Sequence, residues 1–238
     1  MTMHASQPYE SPALREAIGP ALRPGGLELT EHAACFCGLA PGNRVLDVGC
    51  GIGTTANFLQ EHFQVAAVGI DASILLLSEA REGRPTLPLV RGDGACLPFA
   101  SGMFSAVFCE CVFSLLENRM RALTEFYRVL RPGGHLVVAD LYWRSPEPPD
   151  TEACSTARGC LAGALPRRQL EQRIEDAGFA LDLWEDHSEH LKRLAAKLVW
   201  DGIRVTDIWG VACRPGPGAA GWPGYALLVA RKRRESHG

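Results

Sequence analysis

The sequence predicts an α/β fold organised around a doubly wound, mostly parallel sheet. Three observations carry that expectation. Short β-branched apolar runs alternate with longer helix-like segments between residues 40 and 141, a glycine-rich turn joins the first run to the first helix, and an acidic residue closes the second run. With 238 residues, 47% hydrophobic and 21% charged, the chain is long enough for one substantial core, which excludes collagen, coiled coil and wholesale disorder.

The elements follow in order. Residues 45–48 read as a buried strand, 54–63 as a helix and 65–70 as a second strand. Ser73 offers the side-chain acceptor of an N-cap, so a helix is expected over 73–81. A short third strand covers 89–91. The turn Phe99-Ala-Ser-Gly102 leads into a fourth strand at 104–109, and an amphipathic helix over 119–130 stops at Pro132-Gly133-Gly134 before a fifth strand at 135–139. Ser145-Pro-Glu-Pro-Pro-Asp150 breaks the rhythm and marks an insertion over 144–166. A helix at 167–177, a strand at 179–184 and a helix at 187–199 restore it. The Gly- and Pro-rich stretch 210–224 reads as a mobile loop, and 225–230 as a last central strand. The expectation is a single domain over 1–238: an N-terminal lid segment (1–40), a core (41–143), the insertion, and a C-terminal half (167–238).

Composition bounds the function. Lys plus Arg (24) against Asp plus Glu (27) gives a net charge of -3, so no basic field is available to hold a nucleic acid. The run Arg231, Lys232, Arg233 and Arg234 reads as a solvated tail. No apolar stretch reaches the roughly 18–20 residues of a membrane span, and residues 1–10 lack a signal-peptide pattern, so a soluble, cytoplasmic protein without a membrane partner is expected. Nine cysteines in no disulfide-like framework suit a reducing compartment.

The strongest local signal is Val45-Leu-Asp-Val-Gly-Cys-Gly-Ile-Gly53, a strand running into Gly49, Gly51 and Gly53 and then a helix. Glycines there permit a tight turn and let a ligand lie against bare backbone near a helix N-terminus. A dinucleotide fingerprint needs its third glycine at position 54, which is Thr54, and no Gly-Lys-Ser/Thr follows for a P-loop. Asp71 lies 22 residues after Gly49, the spacing at which a carboxylate reaches a ribose. Gly92-Asp93-Gly94, just after the third strand, offers an acid and adjacent backbone amides to an adenine edge.

Together these residues, with Val68-Gly-Ile-Asp71 and Val129-Leu-Arg-Pro-Gly-Gly-His-Leu-Val-Val138, resemble the class I S-adenosylmethionine-dependent methyltransferases over about residues 40–143. The resemblance implies a seven-stranded Rossmann-like sheet whose antiparallel last strand inserts between the fifth and sixth. It implies S-adenosylmethionine as cofactor and a small-molecule acceptor. It places Gly49, Gly51 and Gly53 along the methionine and ribose, Asp47 and Glu110 near the cofactor's amino group, Asp71 and Ala72 at the ribose, and Asp93 with Gly94 at adenine. Cys50 lies within the loop and reads as a tolerated small residue. The kinship with quinone and sterol-type methyltransferases is confined to the core, so the acceptor does not come with it.

Methyl transfer from a sulfonium needs alignment above all, and a general base only when the acceptor arrives protonated. Ligands of open α/β sheets bind beyond the carboxyl ends of the strands, so the acceptor wall is expected at 109–113 and 140–143. Glu110, Asp140 and Cys111 are the candidate catalytic residues. Glu110 reads first as a carboxylate bonded to local backbone or to the cofactor's ammonium and second as a general base, and Asp140 equally as a loop cap. Tyr142 and Trp143 could wall an apolar acceptor or pack under the lid. Tyr9, Gly25, Gly26 and His32 lie in the segment that closes over the pocket in this family, His32 reading as an exposed helix residue. His135 reads as structural, and His187 with His190 as a solvated face; no metal site is expected.

Cysteine placement supports an alternative, a metalloid methyltransferase of the arsenite type, because Cys35, Cys37, Cys109, Cys111, Cys154 and Cys160 cluster near the core or in the lid and trivalent arsenic prefers sulfur. The chain departs from that pattern where Thr54-Thr55-Ala56 follows the glycine loop, and it lacks a C-terminal cysteine pair. A non-catalytic S-adenosylmethionine-binding module and an oxidoreductase on the same sheet complete the alternatives. The sequence is silent on oligomeric state.

Overall fold

The computed structural model describes residues 7–11, 15, 19, 21, 23–146, 159–205, 208 and 223–234. After a 3-10 turn at Gln7–Glu10, helix α1 (Gly26–Phe36) precedes the alternating core: β1 (Arg44–Val48), α2 (Thr54–Phe63), β2 (Ala66–Asp71), α3 (Ile74–Gly83), β3 (Leu89–Arg91), β4 (Phe104–Glu110), α4 (Arg119–Val129) and β5 (Leu130–Trp143). The C-terminal half comprises α5 (Cys160–Gly163), β6 (Leu165–Pro166), α6 (Arg167–Asp176), β7 (Phe179–Asp186), α7 (Ser188–Trp200) and β8 (Pro223–Lys232).

The sheet runs β3-β2-β1-β4-β5-β8-β7, with the two-residue β6 beside β5. β1 to β5 pair in parallel, and β8 is antiparallel to both β5 and β7. The expected doubly wound sheet and the antiparallel insertion of the last strand are therefore both present. Every residue of β4 is buried, as a parallel strand covered on both faces must be. Alternate side chains feed two cores. Val45, Phe108 and Val137 join one with α2, whereas Leu46, Val107 and Leu136 join the other with α4. Chain order reverses between β1 and β4, which opens a crevice at their carboxyl ends.

Three expectations change. The helix over 119–130 ends at Val129, and Arg131-Pro-Gly-Gly134 lies within β5, where positive φ at Gly133 (77°) accompanies a register shift opposite Phe104 and Ala106. The last strand begins at Pro223, inside the stretch read as a loop. The basic run is not wholly a tail: Arg231 and Lys232 belong to β8, Arg231 pairs with Asp182 at 2.9 Å, and Lys232 Nζ donates to the Tyr127 and Leu130 carbonyls at 2.7 and 2.8 Å. Most of the expected insertion and loop, with Cys154 and Cys213, lies outside the described residues.

Candidate cofactor site

A cavity of about 570 Å³ occupies the crevice at the carboxyl ends of β1, β2 and β4. Its floor is the glycine loop. Gly49 donates to the Ile70 carbonyl at 2.8 Å and holds φ at 71°, where a Cβ would lie 2.2 Å from Val112 Cγ2. Only glycine satisfies both demands. Gly51 donates to Asp71 Oδ2 at 2.8 Å and Ser73 to Asp71 Oδ1 at 2.8 Å, so the acid that ends β2 also fixes the loop that ends β1. Burial raises the pKa of Asp71, against those amides, which favour the charged form. Asp93 Oδ1 accepts from Ala95 N at 2.8 Å and, with Gly92 and Gly94, lines the far end.

Asp47, Gly49, Cys50, Gly51, Asp71, Ala72, Asp93, Gly94 and Glu110 all line this cavity. Gly53 does not. It caps α2 at φ 80°, and a Cβ there would meet Leu87 at 2.5 Å, so its requirement is helix packing. The Cys50 side chain lies over Gly69, where a Cβ would come within 2.7 Å of its sulfur, and burial raises its thiol pKa well above normal.

One end of the cavity is an ionic network. Glu110 forms a 2.9 Å ion pair with Arg23 and accepts from Thr30 Oγ1 at 3.0 Å and Thr55 Oγ1 at 3.1 Å. Arg23 also donates to Thr30 Oγ1 and to the Ala21 carbonyl at 3.2 Å. Asp47 accepts from Ala56 N at 3.2 Å; burial and then the Glu110 charge raise its pKa to about 8. Arg23, Thr30 and Thr55 were not legible as site residues. Arg23 and Thr30 belong to no motif of the sequence, and they meet Glu110 across 80 or more positions. A lone arginine in an otherwise uncharged stretch just before α1 is the signal that marks it.

The expected acceptor wall is only partly there. Tyr9, Glu110, Cys111 and Val112 line the cavity, whereas Cys109 is packed in the core. Cys111 adopts φ 55°, rare for a side chain with a Cβ, and its sulfur lies 3.3 Å from the Tyr225 hydroxyl. Cys160 Sγ contacts the Tyr9 hydroxyl at 2.7 Å and lies 3.9 Å from the Cys111 carbonyl. Burial pushes the Cys160 thiol up to about 12 and raises Cys111 well above normal, so both are thiols at neutral pH.

Asp140 is absent from the wall. Its carboxylate accepts from Ser114 N (2.8 Å), Ser114 Oγ (2.9 Å) and Leu141 N (2.7 Å), and so holds the 3-10 turn Phe113–Leu115; burial raises its pKa to about 6 despite these bonds. Tyr142 bonds Asp186 at 3.2 Å and packs edge-on to Trp184, and Trp143 is buried in the core, so the pair does not wall the cavity. His32 and His187 both meet Glu185 Oε2 at 2.9 Å, away from the crevice. No group of three or more metal-ligating side chains occurs among the described residues.

The donor set suits an amino-acid-bearing nucleoside: two buried acids beside a guanidinium at one end, bare loop backbone in the middle, and acids at the other. A family profile described as a methyltransferase domain matches residues 46–138. That stretch of the chain is similar to a methyltransferase domain. Among similar curated proteins, phosphoethanolamine N-methyltransferase 3 of Arabidopsis thaliana is 28% identical over 174 residues, 71% of this chain and 35% of that protein. Arsenite methyltransferase of Halobacterium salinarum (strain ATCC 700922) is 30% identical over 152 residues, 60% of this chain and 39% of that protein. The chain thus spans less than half the length of these curated relatives. Among solved structures, the cyclase SpnF superposes with a TM-score of 0.70 at 25% identity, covering 91% of this chain and 85% of that one. Among the described residues no helix is long and apolar enough to cross a membrane.

Proposed function

We propose that the chain transfers a methyl group from S-adenosylmethionine to a small-molecule acceptor. The observation that supports this most is the convergence of Asp47, Asp71, Asp93 and Glu110 on one cavity floored by Gly49 and Gly51. When bound, S-adenosylmethionine supplies a methyl carbon already activated on a sulfonium. The protein's part is then to orient. Asp71 and Asp93 fix the nucleoside, Glu110 and Asp47 face the ammonium, and Tyr9, Cys111 and Val112 shape the space for the acceptor. Glu110 is already shared among Arg23, Thr30 and Thr55, which favours a positioning role over that of a general base. Calorimetric titration with S-adenosylhomocysteine, followed by product detection across phenolic, amine, thiol and metalloid acceptors, tests the reading. Binding without methylation of any class would favour a module that holds the cofactor for another purpose, and preference for NADH would favour an oxidoreductase.

A second reading, a thiophilic acceptor such as trivalent arsenic, draws on Cys111, which lines the cavity, and on Cys160, whose sulfur meets the Tyr9 hydroxyl at 2.7 Å and lies 3.9 Å from the Cys111 carbonyl. Their protonated thiols suit condensation with arsenous acid, in which each new As–S bond releases one water. Under this reading arsenite binds the wild type, and Cys111→Ser and Cys160→Ser each abolish binding while leaving S-adenosylhomocysteine affinity intact. Unchanged arsenite affinity in both variants would remove it.

A further inference from the structure

Among the described residues, Gln64 and Cys111 are the non-glycine positions with positive φ. Gln64 closes helix α2, where a left-handed residue is routine. Cys111 follows a strand instead, with φ at 55°, a region that a residue with a Cβ occupies only where its neighbours hold it. The holding group is Tyr225, which is fully buried in β8. Its backbone is fixed by the start of α7: its N–H donates to Ser188 Oγ at 3.1 Å, and its carbonyl accepts from His187 N at 2.7 Å. Its hydroxyl donates to the Ala139 carbonyl at 3.2 Å and lies 3.3 Å from Cys111 Sγ. With that hydroxyl hydrogen committed, the Cys111 thiol is the donor in the second contact. Cys111 N donates to the same Ala139 carbonyl at 2.7 Å, so one phenol and one carbonyl grip both the side chain and the backbone of the strained residue. The turn matters to the crevice. Val112 lies directly over Gly49, where a Cβ would come within 2.2 Å of it, and both residues line the cavity. An extended residue at 111 would carry the chain on alongside β5 and take Val112 off the glycine loop.

We propose that Tyr225 is a positioning residue of the site: its hydroxyl holds Cys111 in the left-handed turn that seats Val112 over Gly49, and so sets the wall where acceptor meets methyl donor. This rests on the cofactor reading above and extends it to β8. Tyr225 does not itself line the cavity, so it acts through Cys111 alone.

The test is calorimetric titration of S-adenosylhomocysteine into the full chain in two backgrounds. Tyr225→Phe keeps the ring and removes the hydroxyl. It should weaken binding by about 3- to 10-fold when Cys111 is present, the range of one hydrogen bond, and by less than about twofold in the Cys111→Gly background, because glycine takes positive φ unaided. A ring that served packing alone would cost the same in both backgrounds. An equal loss in the two, or no loss in either, would therefore overturn the proposal while leaving the cofactor reading in place. Should Tyr225→Phe fail to fold, the side chain at 111 supplies the same comparison with the phenol intact. Cys111→Ala keeps the strained Cβ and loses the bond to Tyr225, so it should bind S-adenosylhomocysteine at least about threefold more weakly than Cys111→Gly. Equal or reversed affinities of those two variants would refute the role of Tyr225. Failure of wild type to bind S-adenosylhomocysteine would remove the cofactor reading as well.

Discussion

Asp71 illustrates how much one side chain carries. It ends β2, accepts the Gly51 and Ser73 amides, and faces the cavity, so its loss removes both an acid from the cavity wall and the tether of the glycine loop. Asp71→Ala should weaken S-adenosylhomocysteine binding by about 1.5–3 kcal/mol, the range for charged hydrogen bonds, read as a shift in Kd; an unchanged Kd would refute its role. Asp47 makes a pH prediction. Its folded-state pKa of about 8 lies above the ordinary carboxylate range because burial and Glu110 disfavour the anion. The stability contributed by its protonated form is complete below about pH 4 and is lost as pH rises toward 8. Unfolding free energy of the free protein should therefore fall more steeply between about pH 5 and 8 in wild type than in Asp47→Asn, and equal slopes would contradict the burial of its charge. Asp71 was legible from its spacing to the glycine loop, whereas Asp47 came only with the family resemblance. Arg23 was not legible, because its meaning depends on Glu110, which only the folded chain brings beside it.

At the scale of elements, caps and turns place the cavity walls. Ser73 accepts from Leu76 N at 3.2 Å to start α3 and donates to Glu10 at 2.7 Å, joining the N-terminal turn to the Asp71 end of the cavity. Ser73→Ala should cost about 1 kcal/mol of unfolding free energy by denaturant titration, as loss of an N-cap does. An unchanged midpoint would show that neither bond matters. Asp140 does comparable work for the turn Phe113–Leu115, and Asp140→Ala should lower stability by about 1–3 kcal/mol, leaving the Ser114 amide unpaired. Loss of turnover at unchanged stability would restore Asp140 as a candidate base. Local pattern sufficed for β1, α2, β2, α3 and β4, whose periodicity and capping agree with their packing. It failed at Arg131-Pro-Gly-Gly134, where turn-forming residues continue into β5 because Gly133 can take a positive φ and the pairing with β4 shifts register.

Over the whole molecule, the fold depends on a strand that the chain reaches last. β8 threads between β5 and β7, and Gly224 to Ala230 are all buried. Leu227 is fully buried among side chains of the α2-side core, so Leu227→Ala should destabilise by about 2–5 kcal/mol in equilibrium unfolding, with a cost below about 1 kcal/mol contradicting its central position. The antiparallel order of that strand was expected from family resemblance, not from its own residues, since an apolar run of this length does not announce direction. The most direct test of the account is a crystal structure of the chain with S-adenosylhomocysteine. The account predicts density over Gly49 to Gly51, with the ribose at Asp71, the adenine beside Asp93 and the amino-acid tail between Glu110 and Arg23. A well-ordered crevice without the ligand, or the ligand bound elsewhere at saturating concentration, would contradict it.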